Sequence, residues 1–344
     1  MNTVHISASK SYDIHIGSGL LSQVGKFTAT LAASAKVCIV SESNVWPLFG
    51  KTVQTSLEGS GFTVTSFVFP AGEQSKNAET YLNLLNFLAE NAITRSDLLV
   101  ALGGGVVGDL TGFAAATYLR GIRFIQLPTT LLAAVDASVG GKTAIDLPAG
   151  KNLAGAFCQP SMVLCDTDTL NTLPPEIFLD GCAEVIKYGV LYDPGLFRHL
   201  EDTLLNFERE TVITRCVELK RDVVMADEFD TGERMKLNLG HTFGHSIEAA
   251  SNYGISHGKA VAIGMAIVCR SCGCQDSSRI LDLLIRFGLP VHTGFSAEIL
   301  YNHALSDKKR SSNTITLVIP LAIGNCQLIP YSSETLQSFI QAGL

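Results

Sequence analysis

The first half of the chain alternates short apolar segments with longer segments of helical periodicity. The apolar segments predict strands at 36–40, 63–69, 98–102, 124–127 and 162–165. Leucines at helical spacing predict a helix at 77–91, and a second helix is predicted at 106–119. Strands that alternate with helices in this way predict a mainly parallel sheet covered by helices.

The second half has a different pattern, with helical periodicity in nearly every segment. After a turn at Pro174 and Pro175, helices are predicted at 177–191, 196–206, 210–225, 239–250, 259–274 and 278–287. One late strand, at 314–319, is predicted to lie at a sheet edge or in a hairpin. The pattern therefore predicts an α/β domain over residues 1–170 and a mostly helical domain over residues 171–344.

Composition narrows the class of protein. The chain has 344 residues, of which 47% are hydrophobic and 17% charged, so it is globular and long enough for two domains. No apolar run approaches the roughly 18 residues of a membrane span, and the N-terminus lacks a signal pattern. A net charge of −7 argues against a nucleic-acid partner. Nine scattered cysteines favour a reducing compartment, so we expect a cytoplasmic protein.

Three of the cysteines lie close together, at Cys269, Cys272 and Cys274. A zinc cluster is one interpretation of this spacing. The apolar residues just before them favour buried helix thiols instead, because no second cysteine pair completes a set of four thiolates.

A glycine turn, 103–105, follows the predicted strand 98–102 and precedes a helix. Glycines allow a ligand to approach the backbone, and the helix N-terminus offers free amides, which suits a pyrophosphate. The spacing differs from the dinucleotide and Walker patterns, and a tight structural turn is the alternative. Polar residues also follow two other strands, with Glu73 and Lys76 after one and Thr129 and Thr130 after the next. Three such turns at strand ends predict a nucleotide site.

A polar segment, 136–152, contains Asp136, Lys142, Lys151 and Asn152. Its flanks are small and apolar, which predicts a partly enclosed loop. Enclosed charges need partners or a ligand, so a functional role is favoured over a solvated surface loop.

A metal site is suggested by three histidines in one short stretch. His241 and His245 are four residues apart and share a helix face, and His257 follows 16 residues after the first. Glu184, with Lys187 three residues later, lies in an apolar segment of a separate predicted helix. A surface salt bridge is the alternative for this pair. A glutamate with two histidines would form an open site for zinc or a similar divalent ion.

Further cations accompany these candidate ligands. Lys220, Arg234 and Asn238 precede His241, and the last two are four residues apart. A site with lysines, an arginine and a divalent cation suits an anionic substrate. Lys308 lies in a late basic run, which alone is typical of a solvated turn.

In this order, the segments resemble the 3-dehydroquinate synthase family of sugar-phosphate cyclases, over about residues 70–323. The resemblance implies an N-terminal Rossmann-like NAD domain with a mostly parallel sheet, followed by a mainly α-helical metal-binding domain. It implies a carbon–oxygen lyase of the shikimate pathway that forms 3-dehydroquinate and phosphate from 3-deoxy-D-arabino-heptulosonate 7-phosphate. The implied steps are transient oxidation with NAD, elimination of phosphate, reduction and intramolecular aldol closure. Related alternatives are a 2-deoxy-scyllo-inosose synthase and a metal-dependent polyol dehydrogenase.

The resemblance also implies the site residues. The implied zinc or cobalt ligands are Glu184, His241 and His257. The implied NAD contacts are Glu42, Glu73, Lys76, Gly104, Gly105, Asp109, Thr129, Thr130, Lys142, Lys151 and Thr172. The implied substrate contacts are Arg120, Asp136, Lys142, Asn152, Lys187, Lys220, Arg234, Asn238, His245 and Lys308. Among these, the implied catalytic residues are His245, Lys142, Asp136, Lys187 and Arg234.

Arg120 resembles the family arginine that reaches the substrate phosphate of a neighbouring subunit, which implies a homodimer. Two positions depart from the family pattern. Glu42 stands where the family usually has aspartate, and Lys259 stands where it often has glutamate. We expect the first to alter a ribose contact, and the second to change local charge without loss of the metal.

Overall fold

The computed structural model describes residues 1–32, 36–308 and 314–344. The chain forms two compact units. Unit 1 consists of Met1–Leu173 and Arg209–Phe229, and unit 2 consists of Pro174–Glu208 and Asp230–Leu344.

The strands and helices are numbered in chain order. The strands are β1 (Asn2–Ile6), β2 (Tyr12–Gly17), β3 (Lys36–Glu42), β4 (Thr63–Phe69), β5 (Leu98–Gly103), β6 (Arg123–Pro128), β7 (Lys142–Leu147), β8 (Gly150–Phe157), β9 (Met162–Asp166), β10 (Thr314–Ala322) and β11 (Asn325–Ser332). The helices are α1 (Val24–Ala29), α2 (Lys51–Gly59), α3 (Ala78–Glu90), α4 (Gly105–Thr117), α5 (Pro175–Tyr192), α6 (Pro194–Thr203), α7 (Arg209–Ala226), α8 (His241–Ala250), α9 (His257–Ser271), α10 (Ser277–Arg286), α11 (Ala297–Lys308) and α12 (Ser333–Gly343).

A seven-stranded sheet lies at the centre of unit 1, in the order β1-β2-β9-β6-β5-β3-β4. β1 pairs with β2 in the antiparallel direction, and the other recorded pairs are parallel. Every residue of β5 is buried, since helices cover both of its faces. Leu98 and Val100 face one core with α2, while Leu99 and Ala101 face a second core with α3 and α4. The predicted α/β fold with a mainly parallel sheet is confirmed.

The polar segment 136–152 differs from the sequence-based expectation. We expected a partly enclosed loop, but residues 142–157 form the antiparallel hairpin β7–β8. Thr143 and Ile145 are buried on one side of it, and Gly155 packs directly against the Thr143 carbonyl. The apolar pattern of β7 is only a few residues long, and the charged residues around it conceal that pattern in the sequence.

The residues that make up the two units differ from the predicted domain limits, mainly at helix α7. The chain leaves unit 1 at Leu173, three residues after the predicted boundary, but α7 belongs to unit 1. This helix packs on β1, β2 and the turn 133–137 and buries Ile213, Cys216 and Val217. Its periodicity predicted a helix correctly, but periodicity does not specify which core a helix joins.

Helix α9 lies at the centre of unit 2. All residues from 260 to 269 are buried, because α5, α8, α10 and α12 pack around the helix. The predicted late strand is confirmed as β10, which pairs with β11 in a hairpin. Among the described residues, none of the helices is both long enough and apolar enough to cross a bilayer.

Candidate active site

Close contact between two helices determines where His241 lies. Gly240, which precedes α8, has φ +78°, and a Cβ there would lie 2.6 Å from the carbonyl oxygen of Val261 in α9. A Cβ on Gly264 of α9 would lie 2.0 Å from the carbonyl oxygen of Gly240. Only glycine permits the two backbones to approach so closely, and His241 follows this contact directly.

A second close contact places His257 beside α5. A Cβ on Gly258 would lie 2.2 Å from the carbonyl oxygen of Asp180. The Asp180 carboxylate accepts hydrogen bonds from the Ser256 hydroxyl (2.5 Å) and the Lys259 backbone N–H (3.2 Å). It therefore joins α5 to the N-terminus of α9, where His257 is the first residue.

The three implied ligands lie together in unit 2. The Nε2 atoms of His241 and His257 are 3.5 and 3.7 Å from Oε1 of Glu184. The three ligand atoms lie within 4.8 Å of one another, and the Glu184 side chain is fully buried. One carboxylate and two imidazole nitrogens suit zinc or a similar divalent ion with an open coordination position. The residues present therefore fit the implied metal.

The other ring nitrogen of each histidine is also held. His241 Nδ1 lies 3.1 Å from the Leu239 carbonyl oxygen, and His257 Nδ1 lies 3.2 Å from Oε2 of Glu248. When each Nδ1 carries the proton, its Nε2 presents a lone pair towards Glu184, as a metal ligand requires. Sequence reasoning missed Glu248, although it lies seven residues after His241 on the same helix.

Charged neighbours shift the pKa of the two ligand histidines in opposite directions. Burial, together with the charge of Lys187, lowers the pKa of His241 to about 3. Burial also acts to lower the pKa of His257, but the negatively charged carboxylates of Glu184 and Glu248 beside the ring outweigh it and raise this pKa to about 10. Because a histidine binds a metal in its neutral form, metal binding at this site would be coupled to loss of a proton from His257.

Lys187, predicted to contact substrate, is almost completely buried and forms an ion pair with Glu184 one helical turn away. His245 is exposed, and its ring centroid lies 5.5 Å from that of His241 and 6.1 Å from that of His257. Its exposure is compatible with the substrate-side role that the resemblance implies.

Two more predicted substrate contacts precede α8. Arg234 is buried and Asn238 half-buried, and both lie in the short 3₁₀-helix Glu233–Asn238. The side chain of Lys308, a further predicted contact, lies outside the described residues.

In unit 1, the predicted cofactor residues lie at one edge of the sheet. Glu42, Gly103 and Pro128 end the neighbouring parallel strands β3, β5 and β6. Gly105 begins α4, so its helix N-terminus lies at the same edge. This is the edge at which parallel sheets bind nucleotides.

The glycine turn at this edge packs closely against Thr130. A Cβ on Gly104 would lie 3.1 Å from Cγ2 of Thr130. The Thr129 hydroxyl is buried and has no hydrogen-bond partner among the described residues. An unpaired buried hydroxyl beside a glycine turn and a helix N-terminus fits a pyrophosphate-containing cofactor.

A polar network joins five further predicted residues. Lys76 is buried, and its Nζ lies 2.6 Å from Oδ2 of Asp109, 2.5 Å from Oδ1 of Asn152 and 3.9 Å from Glu73. Lys151 lies 3.7 Å from the same Glu73 carboxylate. Burial lowers the pKa of Lys76, but the carboxylates, Asp109 first, outweigh burial and hold the pKa above its ordinary value. Lys76 is therefore a charged centre that organises this network.

Asp146, which belongs to the polar segment 136–152, supports the network through the backbone. Its N–H donates to the Lys76 carbonyl oxygen (2.7 Å), and its carboxylate accepts from the Asn152 N–H (2.8 Å). Asn152 has φ +57°, a conformation that this contact supports. A cavity of about 470 Å³ adjoins the network and is lined by residues that include Asp109, Lys142 and Asn152.

Two predicted substrate contacts, Asp136 and Lys220, bind each other within unit 1. Nζ of Lys220 lies 2.8 Å from the Asp136 carboxylate and 2.6 Å from its backbone carbonyl oxygen. Lys220 is buried, so Asp136 compensates its charge.

The remaining predicted residues are held by local contacts. Glu42 accepts a hydrogen bond from the Asn44 N–H (2.6 Å), and the Thr172 hydroxyl donates to the Thr169 carbonyl oxygen (2.9 Å). Arg120 is exposed and has φ +68° in the turn that follows α4.

Comparison with known proteins connects this arrangement to one family. Residues 66–180 match the model described as "3-dehydroquinate synthase N-terminal", and residues 181–310 match "3-dehydroquinate synthase C-terminal". The chain belongs to the 3-dehydroquinate synthase family. The predicted family is therefore confirmed.

Curated relatives agree over nearly the whole chain. The chain is 43% identical to a 3-dehydroquinate synthase of Streptococcus suis, covering 96% of this chain and 97% of the relative. It is 46% identical to a 3-dehydroquinate synthase of Pelobacter propionicus, covering 95% of each.

Solved structures show related cyclases. A 2-deoxy-scyllo-inosose synthase in complex with carbaglucose-6-phosphate, NAD⁺ and Co²⁺ matches with TM-score 0.88 and 26% identity, over 100% of both chains. A 2-epi-5-epi-valiolone synthase from Streptomyces hygroscopicus with NAD⁺ and Zn²⁺ matches with TM-score 0.87 and 26% identity, over 97% of this chain and 98% of the other. A glycerol dehydrogenase from Schizosaccharomyces pombe, at 17% identity and TM-score 0.66, shares the fold, with 96% and 88% covered.

Proposed function

We propose that this chain is an NAD- and metal-dependent carbon–oxygen lyase that converts 3-deoxy-D-arabino-heptulosonate 7-phosphate to 3-dehydroquinate and phosphate. The observation that carries the proposal is the arrangement of Glu184, His241 and His257 in a chain of this family. A polar nucleotide-type edge in unit 1 and buried cations in both units support it. We also propose a homodimer in the cytoplasm.

Each cofactor has a set of residues that fits it. Glu184, His241 and His257 would hold zinc or cobalt. The NAD contacts would be Glu42, Glu73, Lys76, Gly104, Gly105, Asp109, Thr129, Thr130, Lys142, Lys151 and Thr172. When bound, NAD would supply reversible hydride transfer and the metal Lewis-acid polarisation of a hydroxyl oxygen.

His245 would accept the proton of the substrate hydroxyl that is oxidised and later return it to that oxygen. An imidazole performs this exchange near neutral pH, and the exposed ring lies beside both ligand histidines. Lys187 would balance the charge of Glu184 through their buried ion pair. No residue is assigned to the proton next to the leaving phosphate, because the departing phosphate can itself accept it.

The anionic groups of the substrate would be held by separate sets of cations. Lys142, Asn152, His245 and Lys308 would bind the phosphate, with Arg120 supplied by a neighbouring subunit. Arg234 and Lys220 would bind the carboxylate, because guanidinium and ammonium groups suit a carboxylate partner. Asp136 would orient Lys220 through the contacts described above. Asn238 would complete the substrate contacts ahead of α8.

One incubation tests the proposed reaction. The enzyme is mixed with the heptulosonate phosphate, NAD and zinc, and phosphate, dehydroquinate and NADH are measured. We expect equal amounts of phosphate and dehydroquinate with no net NADH, since the hydride is returned in every turnover. Accumulation of NADH would indicate a dehydrogenase and contradict the proposal.

The second candidate function is that of a 2-deoxy-scyllo-inosose synthase, because such an enzyme shares the fold at 26% identity. Arg234 and Lys220, the proposed carboxylate contacts, favour the carboxylated heptulosonate substrate over a sugar phosphate that has no carboxylate. Glucose 6-phosphate in a parallel incubation separates the two, and turnover of that sugar alone would establish the alternative.

His245 provides a more local test. We expect His245→Ala to lower kcat by roughly 10²–10⁴-fold, the range for loss of general acid–base catalysis, with metal content unchanged. His5→Ala, at an exposed histidine of unit 1, serves as the control and should match wild type. Wild-type turnover in His245→Ala would remove this residue from the mechanism.

A further inference from the structure

Unit 2 carries a group of thiols that the proposed reaction does not use. Cys269 lies in the last turns of α9, Cys272 follows the helix directly, and Cys274 comes two residues later. Cys269, Cys274 and Cys326 of β11 are buried, while Cys272 is half-buried. The expectation of buried helix thiols is therefore confirmed for Cys269. The structure also shows how the chain brings Cys269 and Cys274 close to each other.

The end of α9 brings Cys269 and Cys274 together. Gly273 has φ +64°, and the Cys274 N–H donates to the Cys269 carbonyl oxygen at 3.3 Å. A left-handed glycine with a hydrogen bond back over five residues is the Schellman helix end, which places the flanking side chains in contact. The Cys274 side chain is therefore placed beside that of Cys269.

This contact makes the two thiols unlike each other. Interaction with the Cys269 thiol lowers the pKa of the Cys274 thiol to about 7 against the opposing effect of burial, and the Asp276 backbone N–H also lowers it. The same interaction raises the pKa of Cys269 well above its ordinary value. Cys274 is therefore the more nucleophilic of the two thiols. An attacking thiol whose pKa is close to the ambient pH reacts fastest in thiol chemistry.

We propose that Cys269 and Cys274 form a redox-active dithiol that closes to a disulfide on reaction with hydrogen peroxide. Cys274 sulfur attacks a peroxide oxygen, so that an S–O bond forms, the O–O bond breaks, and hydroxide leaves as water. Cys269 sulfur then attacks Cys274 sulfur, forming the S–S bond and releasing the second oxygen as water with the Cys269 proton. Two electrons pass from the thiols to the peroxide, and an external dithiol reverses the change.

The other two thiols of the group are held differently. Cys272 donates to the Pro320 carbonyl oxygen at 3.4 Å, and Cys326 donates to the Val190 carbonyl oxygen at 3.6 Å. Burial raises the pKa of both, Cys326 more strongly. Both therefore stay protonated and are poor nucleophiles. Cys274 keeps 7% of its surface exposed, which permits a reagent as small as peroxide to reach it.

The dithiol is far from the metal ligands. His257 is the first residue of α9, and a helix of 15 residues is about 20 Å long. Oxidation should therefore leave metal content unchanged, so the test below does not depend on the proposed catalytic function.

Peptide mapping of the folded, metal-loaded protein tests the proposal. The protein is treated with one equivalent of hydrogen peroxide, free thiols are alkylated, and trypsin is added. Cleavage after Arg270 separates Cys269 from the peptide that contains Cys272 and Cys274. We expect a disulfide-linked pair of peptides, with fragmentation placing the bond at Cys274, and its loss after treatment with dithiothreitol. Full alkylation of Cys269 and Cys274 after peroxide, or a bond at Cys272, would overturn the proposal.

Matched variants sharpen this result. Cys272→Ser should form the linked peptides as wild type does, whereas Cys274→Ser should form none. Equal cross-linking in both variants would contradict the assignment. Mapping of the wild-type protein stands on its own where a variant folds poorly.

Discussion

The polar network of unit 1 and the metal cluster of unit 2 accommodate charge in different ways. In unit 1, the cation of Lys76 is shared among Asp109, Glu73 and Asn152 near the end of the sheet, where part of each acidic side chain remains exposed. In unit 2, Glu184 and Lys187 form a pair that is almost completely removed from solvent. Loss of one partner is therefore tolerated better in unit 1 than in unit 2.

Glycine also has different uses in the two regions. Gly104 lies against the Thr130 side chain at the start of α4, whereas Gly240 and Gly264 permit the backbones of α8 and α9 to approach closely. We therefore expect a change at Gly104 to act on the proposed cofactor, and a change at Gly240 to act on helix packing. Four substitutions test this contrast, beginning with the largest expected effect.

Glu184→Gln should have the largest effect, because it removes a metal ligand and leaves the charge of Lys187 buried without its partner. We expect a loss of about 3–5 kcal/mol in the free energy of unfolding, together with loss of stoichiometric metal. Denaturant unfolding and metal analysis measure the two effects. The control is Glu233→Gln, which removes an exposed partner of Lys236 and should cost under about 1 kcal/mol. Retention of metal in Glu184→Gln would refute the ligand assignment.

Gly240→Ala should rank second. The left-handed backbone costs a residue with a Cβ about 1–2 kcal/mol, and overpacking against Val261 adds about 1–3 kcal/mol. Gly61→Ala is the matched control, because Gly61 has φ +89° with nothing within 4 Å of a Cβ. It should show the conformational cost alone. Equal losses of unfolding free energy in the two variants would show that the helix contact contributes nothing.

Glu248→Gln should weaken metal binding without unfolding the protein. The amide can still accept the His257 hydrogen bond, but the negative charge is lost, and such outer contacts typically contribute 10–100-fold in affinity. We expect a decrease of about tenfold, measured by competition with a chelator. Glu298→Gln, at an exposed residue of α11, is the control. Unchanged affinity would remove Glu248 from the metal site.

Gly104→Ala should have the smallest effect on stability and should act on the ligand instead. Its φ of −77° suits alanine, but the added Cβ narrows the space beside Thr130. We expect NAD affinity to fall about tenfold, equivalent to about 1.4 kcal/mol, in a calorimetric titration. Gly59→Ala, where a Cβ meets nothing within 4 Å, should bind NAD normally. A loss of stability as large as that in Gly240→Ala would contradict the contrast between the two regions.

Much of this arrangement could be predicted from the sequence, because it rests on local pattern. Strands such as β5 are continuously apolar, and the spacing of His241 and His245 suggested a shared helix face. Glu184, which lies 57 residues before His241, was a candidate ligand because it lies in an apolar helical segment, and the family resemblance then joined it to His241 and His257. The ligand set therefore came from matching a pattern over distant segments, not from any one of them.

What the sequence did not reveal depends on contacts between distant segments. Asp180 is an ordinary helix residue until Ser256 and Lys259 bind its carboxylate. Asn152, predicted to contact substrate, binds Lys76, because the β7–β8 hairpin carries it to that side chain. Such pairings follow from the tertiary fold, and no local periodicity encodes them.

The placement of α7 has a consequence for how this chain can be made and divided. The polypeptide completes most of unit 1 by Leu173, enters unit 2, returns for Arg209–Phe229, and then finishes unit 2. During synthesis, unit 1 must wait for 35 residues of unit 2 before the helix that covers β1 and supplies Lys220 to Asp136 emerges. A cut after Leu173 would yield a fragment that lacks this helix. The two units are therefore interleaved in sequence, and neither can be expressed whole as one uninterrupted segment.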